Sequence, residues 1–182
     1  MNIIRYTTLC AAIIGLTGCS TSIDDYQNTT PEFNLKEYFS GNVTAWGIVQ
    51  DFSQKTVRRF CVDIIGTWQG DNGKLHETFY YADGETQVRV WQLNIQQDGS
   101  VTGSAGDVIG QASGGATGMS FNWNYTLRVP IDDSEYDIKV DDWMFMMDES
   151  RMMNRSYMSK LGISVGEISI FFDKTQPVRK CQ

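Results

Sequence analysis

Apolar and polar residues alternate one by one over most of the chain beyond residue 40, and Gly, Asp and Asn interrupt the alternation at intervals. The clearest run places Met119, Phe121, Trp123, Tyr125, Leu127 and Val129 on one side, with Ser120, Asn122, Asn124, Thr126 and Arg128 on the other. Successive side chains of an extended chain point to opposite sides, so this run reads as a strand with one buried and one wet face. The same pattern predicts strands over 43–51, 57–68, 74–81, 86–96, 100–112 (broken by Gly103 and Gly106), 135–147 and 163–172. Asp71-Asn72-Gly73, Asp83-Gly84, Asp98-Gly99 and Asp132-Asp133 lie between them and supply hairpin turn chemistry. Such short links make consecutive strands antiparallel neighbours.

A meander of eight or more strands without a helical layer leaves a barrel or a sandwich. Strands of about 11 residues reach roughly 36 Å, which suits a coiled barrel wall better than a sandwich. The expectation is all-β: an antiparallel up-and-down, lipocalin-like barrel of about 8–10 strands. Asn34 to Phe39 reads as one helical turn, ended by Ser40-Gly41-Asn42. The Met-rich stretch 148–160 lacks clear alternation and is expected to form a short helix or a lid.

Ahead of this body, residues 1–18 hold one basic residue, Arg5, no acid, and an apolar run from Leu9 to Leu16. That is a signal peptide in form, too short to span a bilayer as a helix. Its end, Leu16-Thr17-Gly18-Cys19, resembles the lipobox of bacterial lipoproteins, which implies cleavage before Cys19 and acylation of that cysteine, with palmitate among the chains. Ser20 replaces the Asp that retains such proteins in the inner membrane, so the expected location is the periplasmic face of the outer membrane. Residues 19–32 then read as a lipidated flexible tether, and 33–182 as a single barrel domain.

The chain carries 22 acidic against 15 basic residues, a net charge of −7, and no basic stripe. Nucleic acid is a poor partner for such a surface. Of four cysteines, Cys10 leaves with the leader and Cys19 takes lipid, so Cys61 and Cys181 remain in an oxidising compartment. Strand phase points Cys61 away from Phe60 and Val62, out of the barrel, where a C-terminal tail carrying Cys181 can cross it. A disulfide is the leading reading, with two free thiols the alternative.

Candidate chemistry is sparse. His76 is the lone histidine, in a strand with no nucleophile elbow nearby, and reads as exposed rather than catalytic. No His or Cys pair has zinc spacing, and no calcium loop is complete, so no metal and no cofactor is implied. Asp132-Asp133, Asp141-Asp142 and Asp148-Glu149 read as turns and a solvated rim. Met144, Met146, Met147, Met152, Met153 and Met158 are soft enough for Cu(I), but thioethers also fill irregular cores and greasy pockets, the preferred reading here.

Three charges on apolar strand faces are more informative. Arg58 shares a face with Phe60, Val62 and Ile64; Glu77 with Leu75, Phe79 and Tyr81; Arg89 with Trp91, Leu93 and Ile95. These are either a buried ion network, charges at the barrel mouths, or a site in which an unpaired guanidinium takes a ligand carboxylate or phosphate. In the last case Trp91, Trp123 and Tyr125 would hold an apolar tail, and the ligand is expected to be a fatty acid or lipid. With one inward carboxylate for two arginines, Asp142, which shares a face with Val140 and Met144, is a further source of charge. A filled barrel acting as a structural or interaction lipoprotein is the second class of function, and an enzyme on acyl lipids the third.

Glu37-Tyr38-Phe39-Ser40-Gly41, Ala45-Trp46-Gly47, Val57-Arg58-Arg59-Phe60, Gly66-Thr67-Trp68-Gln69-Gly70, Asp83-Gly84-Glu85-Thr86, Tyr125-Thr126-Leu127, Asp141-Asp142-Trp143-Met144 and Gly166-Glu167 together resemble a proteobacterial lipoprotein family known as domain of unknown function 3833. The resemblance covers nearly all of the chain beyond the leader and implies a barrel without implying a mechanism. Gly66-Thr67-Trp68 also spells the Gly-x-Trp of lipocalins, although it ends the second predicted strand instead of opening the first.

Overall fold

Ten strands follow one another with almost no helix between them in the computed structural model, which describes residues 21–131 and 133–181. The leader, Cys19 and Asp132 lie outside the described residues. The strands are β1 (Gly41–Asp51), β2 (Thr56–Gln69), β3 (Asn72–Tyr81), β4 (Thr86–Ile95), β5 (Val101–Ser104), β6 (Ala112–Thr117), β7 (Ser120–Ile131), β8 (Ser134–Met146), β9 (Arg151–Lys160) and β10 (Ile163–Asp173). Each pairs antiparallel with its neighbours in sequence, and β10 pairs with β1 to close the ring. This is the up-and-down barrel that the alternation and turn chemistry predict.

The barrel has two unlike ends. One is plugged by α1 (Leu35–Tyr38) and its flanks, where Phe33, Leu35, Tyr38 and Phe39 are all buried. Asn34 caps this turn by accepting from the Glu37 amide at 3.1 Å. Phe33 stacks on Phe121, and Phe39 meets Phe172 edge to face. Gly66 and Trp68 seat the plug: a Cβ on Gly66 would lie 1.6 Å from the Phe39 carbonyl oxygen, and Trp68 Nε1 donates to that same oxygen at 3.2 Å. The Gly-x-Trp spelling therefore serves the plug. The opposite end carries the β1–β2, β3–β4, β7–β8 and β9–β10 turns and is open.

Three expectations need correction. The stretch 148–160 is neither helix nor lid; β9 occupies 151–160 as a regular wall strand. Its inward residues Met152, Asn154 and Ser156 are buried while Met153, Arg155 and Tyr157 are exposed, and two of the three inward residues are polar. Strand alternation is present there in geometry but cancelled in hydropathy. The expected strand 100–112 is strand only over β5; a segment that joins the wall through one bridge, Val108 to Leu127, fills most of the rest, and β6 begins at Ala112 and runs beyond it. Gly103, Gly106 and Gly110 fall in this region and weaken strand propensity. In consequence β4 pairs with β5 only from Gln92 to Ile95, so Thr86–Trp91 has β3 as its one ladder partner among the described residues. Finally, the expected tether is folded from Ser22 onward. A 3-10 turn at Ile23–Tyr26 lies on the outside of the wall, with the Tyr26 ring 5.9 Å from Trp143 and 5.4 Å from Phe145.

On the outer wall Cys61 and Cys181 are joined in a disulfide, their Cα atoms 5.7 Å apart. The Cys181 amide donates to the Asp63 carboxylate next to it on β2. The tail beyond β10 is thus fastened back onto β2.

Candidate functional site

Above the plug the barrel interior is hollow. The cavity holds about 150 Å³ open to the centres of water-sized molecules, and it leads toward the open mouth. Its lining is unevenly divided. β1, β2 and β10 contribute an apolar wall that includes Ala45, Phe60, Val62, Ile64, Ile170 and Phe172. β3, β4 and β7–β9 contribute Glu77, Arg89, Tyr125, Asp142, Asn154 and Ser156.

Of the residues predicted from sequence, Glu77, Arg89, Trp91, Trp123 and Tyr125 are brought together around this cavity. The Trp91 ring meets those of Trp123 and Tyr125 edge to face at 5.6 and 5.5 Å. Arg58 is not with them. It sits at the mouth, where Nε donates to Asp83 at 3.0 Å, Nη2 pairs with Glu85, and the guanidinium lies 3.4 Å over the Tyr81 ring.

Neither arginine is unpaired, which corrects the charge count made from strand faces. Arg89 binds Asp107 in bidentate fashion, with Nε 3.2 and 3.0 Å from the two carboxylate oxygens and Nη2 2.6 Å from the second. Asp107 lies in the segment between β5 and β6, and nothing in the strand pattern announces it. This pair spans the stretch where β4 has lost its partner strand. Arg89 is also opposite Glu77 in the β3–β4 register.

Asp142 is the second correction, because it belongs to the interior and not to a solvated rim. Its carboxylate accepts from Tyr125 Oη at 3.0 Å, from Ser156 Oγ at 3.0 Å and from the Asn154 amide. Asn154 donates as well to the Trp143 carbonyl at 3.0 Å. Burial pushes Asp142 up to about 6 against these donors, which pull it down. Phase with Val140 and Met144 is the signal for Asp142 in the sequence; Asn154 and Ser156 give none, since polar residues on a strand read as outward.

Glu77 differs from the other polar groups here. Its carboxylate faces the cavity, and among the described residues no hydrogen bond or ion pair reaches it. Burial pushes it up to about 7; Arg89 pulls the other way, and Asp107 and Asp142 add to the rise.

The other candidates are dispersed. His76 is exposed on β3. The methionines face both sides of the wall: Met146 and Met152 are buried partners across β8 and β9, Met144 lines the cavity, and Met147 and Met153 are exposed. Among the described residues no group of His, Cys, Asp and Glu is arranged to hold a metal.

A family model described as "Protein of unknown function (DUF3833)" matches residues 13–174. A search of the curated proteins returned no match. Among solved structures, apocrustacyanin C2 is similar at 13% identity with a TM-score of 0.41, over 81% of this chain and 66% of that one. The chain therefore spans just under two thirds of that protein's length.

Proposed function

Because the chain belongs to the DUF3833 family, whose description carries no activity, we propose a function from the barrel itself: an outer-membrane lipoprotein, held in the periplasm by acylated Cys19, that binds one small apolar or amphipathic molecule. The observation that carries this is the cavity, lined throughout by aliphatic and aromatic residues, with a few polar groups converging from β3, β4 and β7–β9. That mixture is typical of small-molecule sites. A barrel of this size can be filled by its own side chains or keep room for one ligand, and here room is kept.

The rim supports a ligand drawn from an apolar phase. Phe52, Ile131, Leu161 and Ile163 sit on the tips of three hairpins at the open end and are half to nine-tenths exposed. Leu161 does so at a positive φ of 51°, where an aliphatic side chain has no conformational reason to be. Exposed apolar groups gathered at a mouth mark a surface that meets something apolar. The described chain begins beside the plugged end, where the Ile23–Tyr26 turn packs on Trp143 and Phe145, and the mouth lies at the other end.

Native mass spectrometry of protein released gently from cell envelopes tests the binding role, with a co-purified lipid-like mass expected. A barrel that is empty and also refuses every acyl and alkyl probe ends it, leaving a structural lipoprotein. Anchoring is tested separately: Cys19→Ala should abolish acylation and move the protein to the soluble fraction.

A further inference from the structure

The cavity's charge inventory identifies the kind of head group it takes. Four ionisable side chains meet in and around the interior on the polar side: Glu77, Arg89, Asp107 and Asp142. Asp107 engages the Nε and Nη2 edge of the Arg89 guanidinium through three hydrogen bonds, and Glu77 adds its charge from across the β3–β4 register. Asp142 is engaged by Tyr125, Asn154 and Ser156. An acid entering this space meets three carboxylates against one guanidinium, which is already paired with Asp107.

Glu77 has unspent capacity. It is half-buried, its carboxylate is open to the cavity, and no protein hydrogen bond reaches it among the described residues, so it is available to a donor or a cation that enters. Aromatic rings share the space with it: Phe79, Trp91 and Tyr125 line the same cavity. The ring of Phe79 already carries the Arg89 guanidinium at 5.4 Å, so this surface accepts positive charge. A carboxylate among aromatic faces is the chemistry that recognises a charged nitrogen.

We propose that the cavity's ligand is a cationic amphiphile, an apolar chain ending in an ammonium or comparable nitrogen cation that pairs with Glu77. This rests on the reading that the cavity takes a ligand, and it replaces the fatty acid expected from the sequence. Because Glu77 titrates at about 7, facing Arg89, Asp107, Asp142 and Tyr125, a bound cation must expel its proton. Affinity for a cation then falls on acidification, approaching about tenfold per pH unit below the free-state titration. An anion would show the opposite trend.

The test titrates purified protein with octylamine, octanol and octanoic acid, each below its micellar concentration, following fluorescence of the lining tryptophans between pH 5.5 and 8. At pH 8 octylamine should bind at least about tenfold more tightly than octanol, with octanoic acid weakest. The preference should shrink toward pH 5.5 and vanish in Glu77→Gln. Octanoic acid equal to or tighter than octylamine, or an amine preference untouched by Glu77→Gln, overturns the cationic assignment while leaving a ligand-binding barrel. Failure of all three probes removes the binding role and the assignment together. If Glu77→Gln does not fold, the wild-type pH trend decides: falling amine affinity on acidification supports the assignment, and a flat or rising one overturns it.

Discussion

The two walls of the cavity are built on different physics. The wall of β1, β2 and β10 is held by burial: Ala45, Val62, Ile64 and Phe172 are at most 6% exposed and touch other apolar groups or the plug. The wall of β3, β4 and β7–β9 adds polar pairing to the burial of Leu75, Trp91, Leu93 and Trp123, with Asp142 taking three donors, Arg89 locked to Asp107 and Glu77 left open to the cavity. Apolar burial is nondirectional and tolerates repacking, whereas a buried polar network is costly once a member is left unpaired. One side of the cavity is thus adaptable to shape and the other fixed in chemistry.

Truncation should expose this contrast most strongly on the apolar side. Phe172→Ala removes the ring that meets Phe39 and opens space under the plug, at an expected cost of about 4 kcal/mol in urea denaturation. Conservative changes of similar volume, such as Ile170→Leu, should cost less than about 1.5 kcal/mol there. On the polar side even removal of a small side chain should hurt: Asp142→Ala strands the Tyr125, Asn154 and Ser156 donors and is expected to cost about 3 kcal/mol. If Asp142→Ala melts like wild type, the polar wall is not held together by its network.

The apolar wall is legible in the chain because Phe60, Val62 and Ile64, or Ile168, Ile170 and Phe172, alternate visibly with outward residues. The polar wall is legible only in part. Glu77 and Arg89 stand out as charges on otherwise greasy faces, and Asp142 has the phase of Val140 and Met144. Asn154 and Ser156 are invisible, since their polarity mimics the solvent face and makes β9 look structureless. Asp107 is out of reach for another reason: it acts from an irregular segment, where no period assigns a side. The plug's use of Gly66 and Trp68 depends on a contact nearly thirty residues away in sequence, which no local pattern carries.

Titration separates the walls next. Glu77 and Asp142 have raised folded-state values of about 7 and about 6, so the native protein keeps their protons at pH values where the unfolded chain has lost them. Stability should therefore fall as pH rises from about 5 to about 7, with Glu77 contributing a loss of about 2–3 kcal/mol. Glu77→Gln should flatten that limb in melting curves taken against pH, while substitutions in the apolar wall leave its slope alone. The smallest effect is expected at the mouth. Arg58 is partly buried but its partners Asp83 and Glu85 are about half exposed, so Arg58→Ala should cost under about 1 kcal/mol by thermal melt, shrinking further in salt. A loss several times larger would make Arg58 part of the interior network after all.

Among the described residues Thr86–Trp91 pairs on one side only, which gives the barrel the mechanics of a hoop that is whole at one rim and split at the other. Toward the plug a continuous ladder resists widening in every direction. Toward the mouth, β4 and the 105–111 segment are joined at the split by the Arg89–Asp107 pair, so an outward load concentrates on that clasp. Amides of β4 that face the split should exchange with deuterium well before those in the middle of β8, and Asp107→Asn should quicken them further. A guest wider than the mouth has a place to press where no backbone ladder has to part.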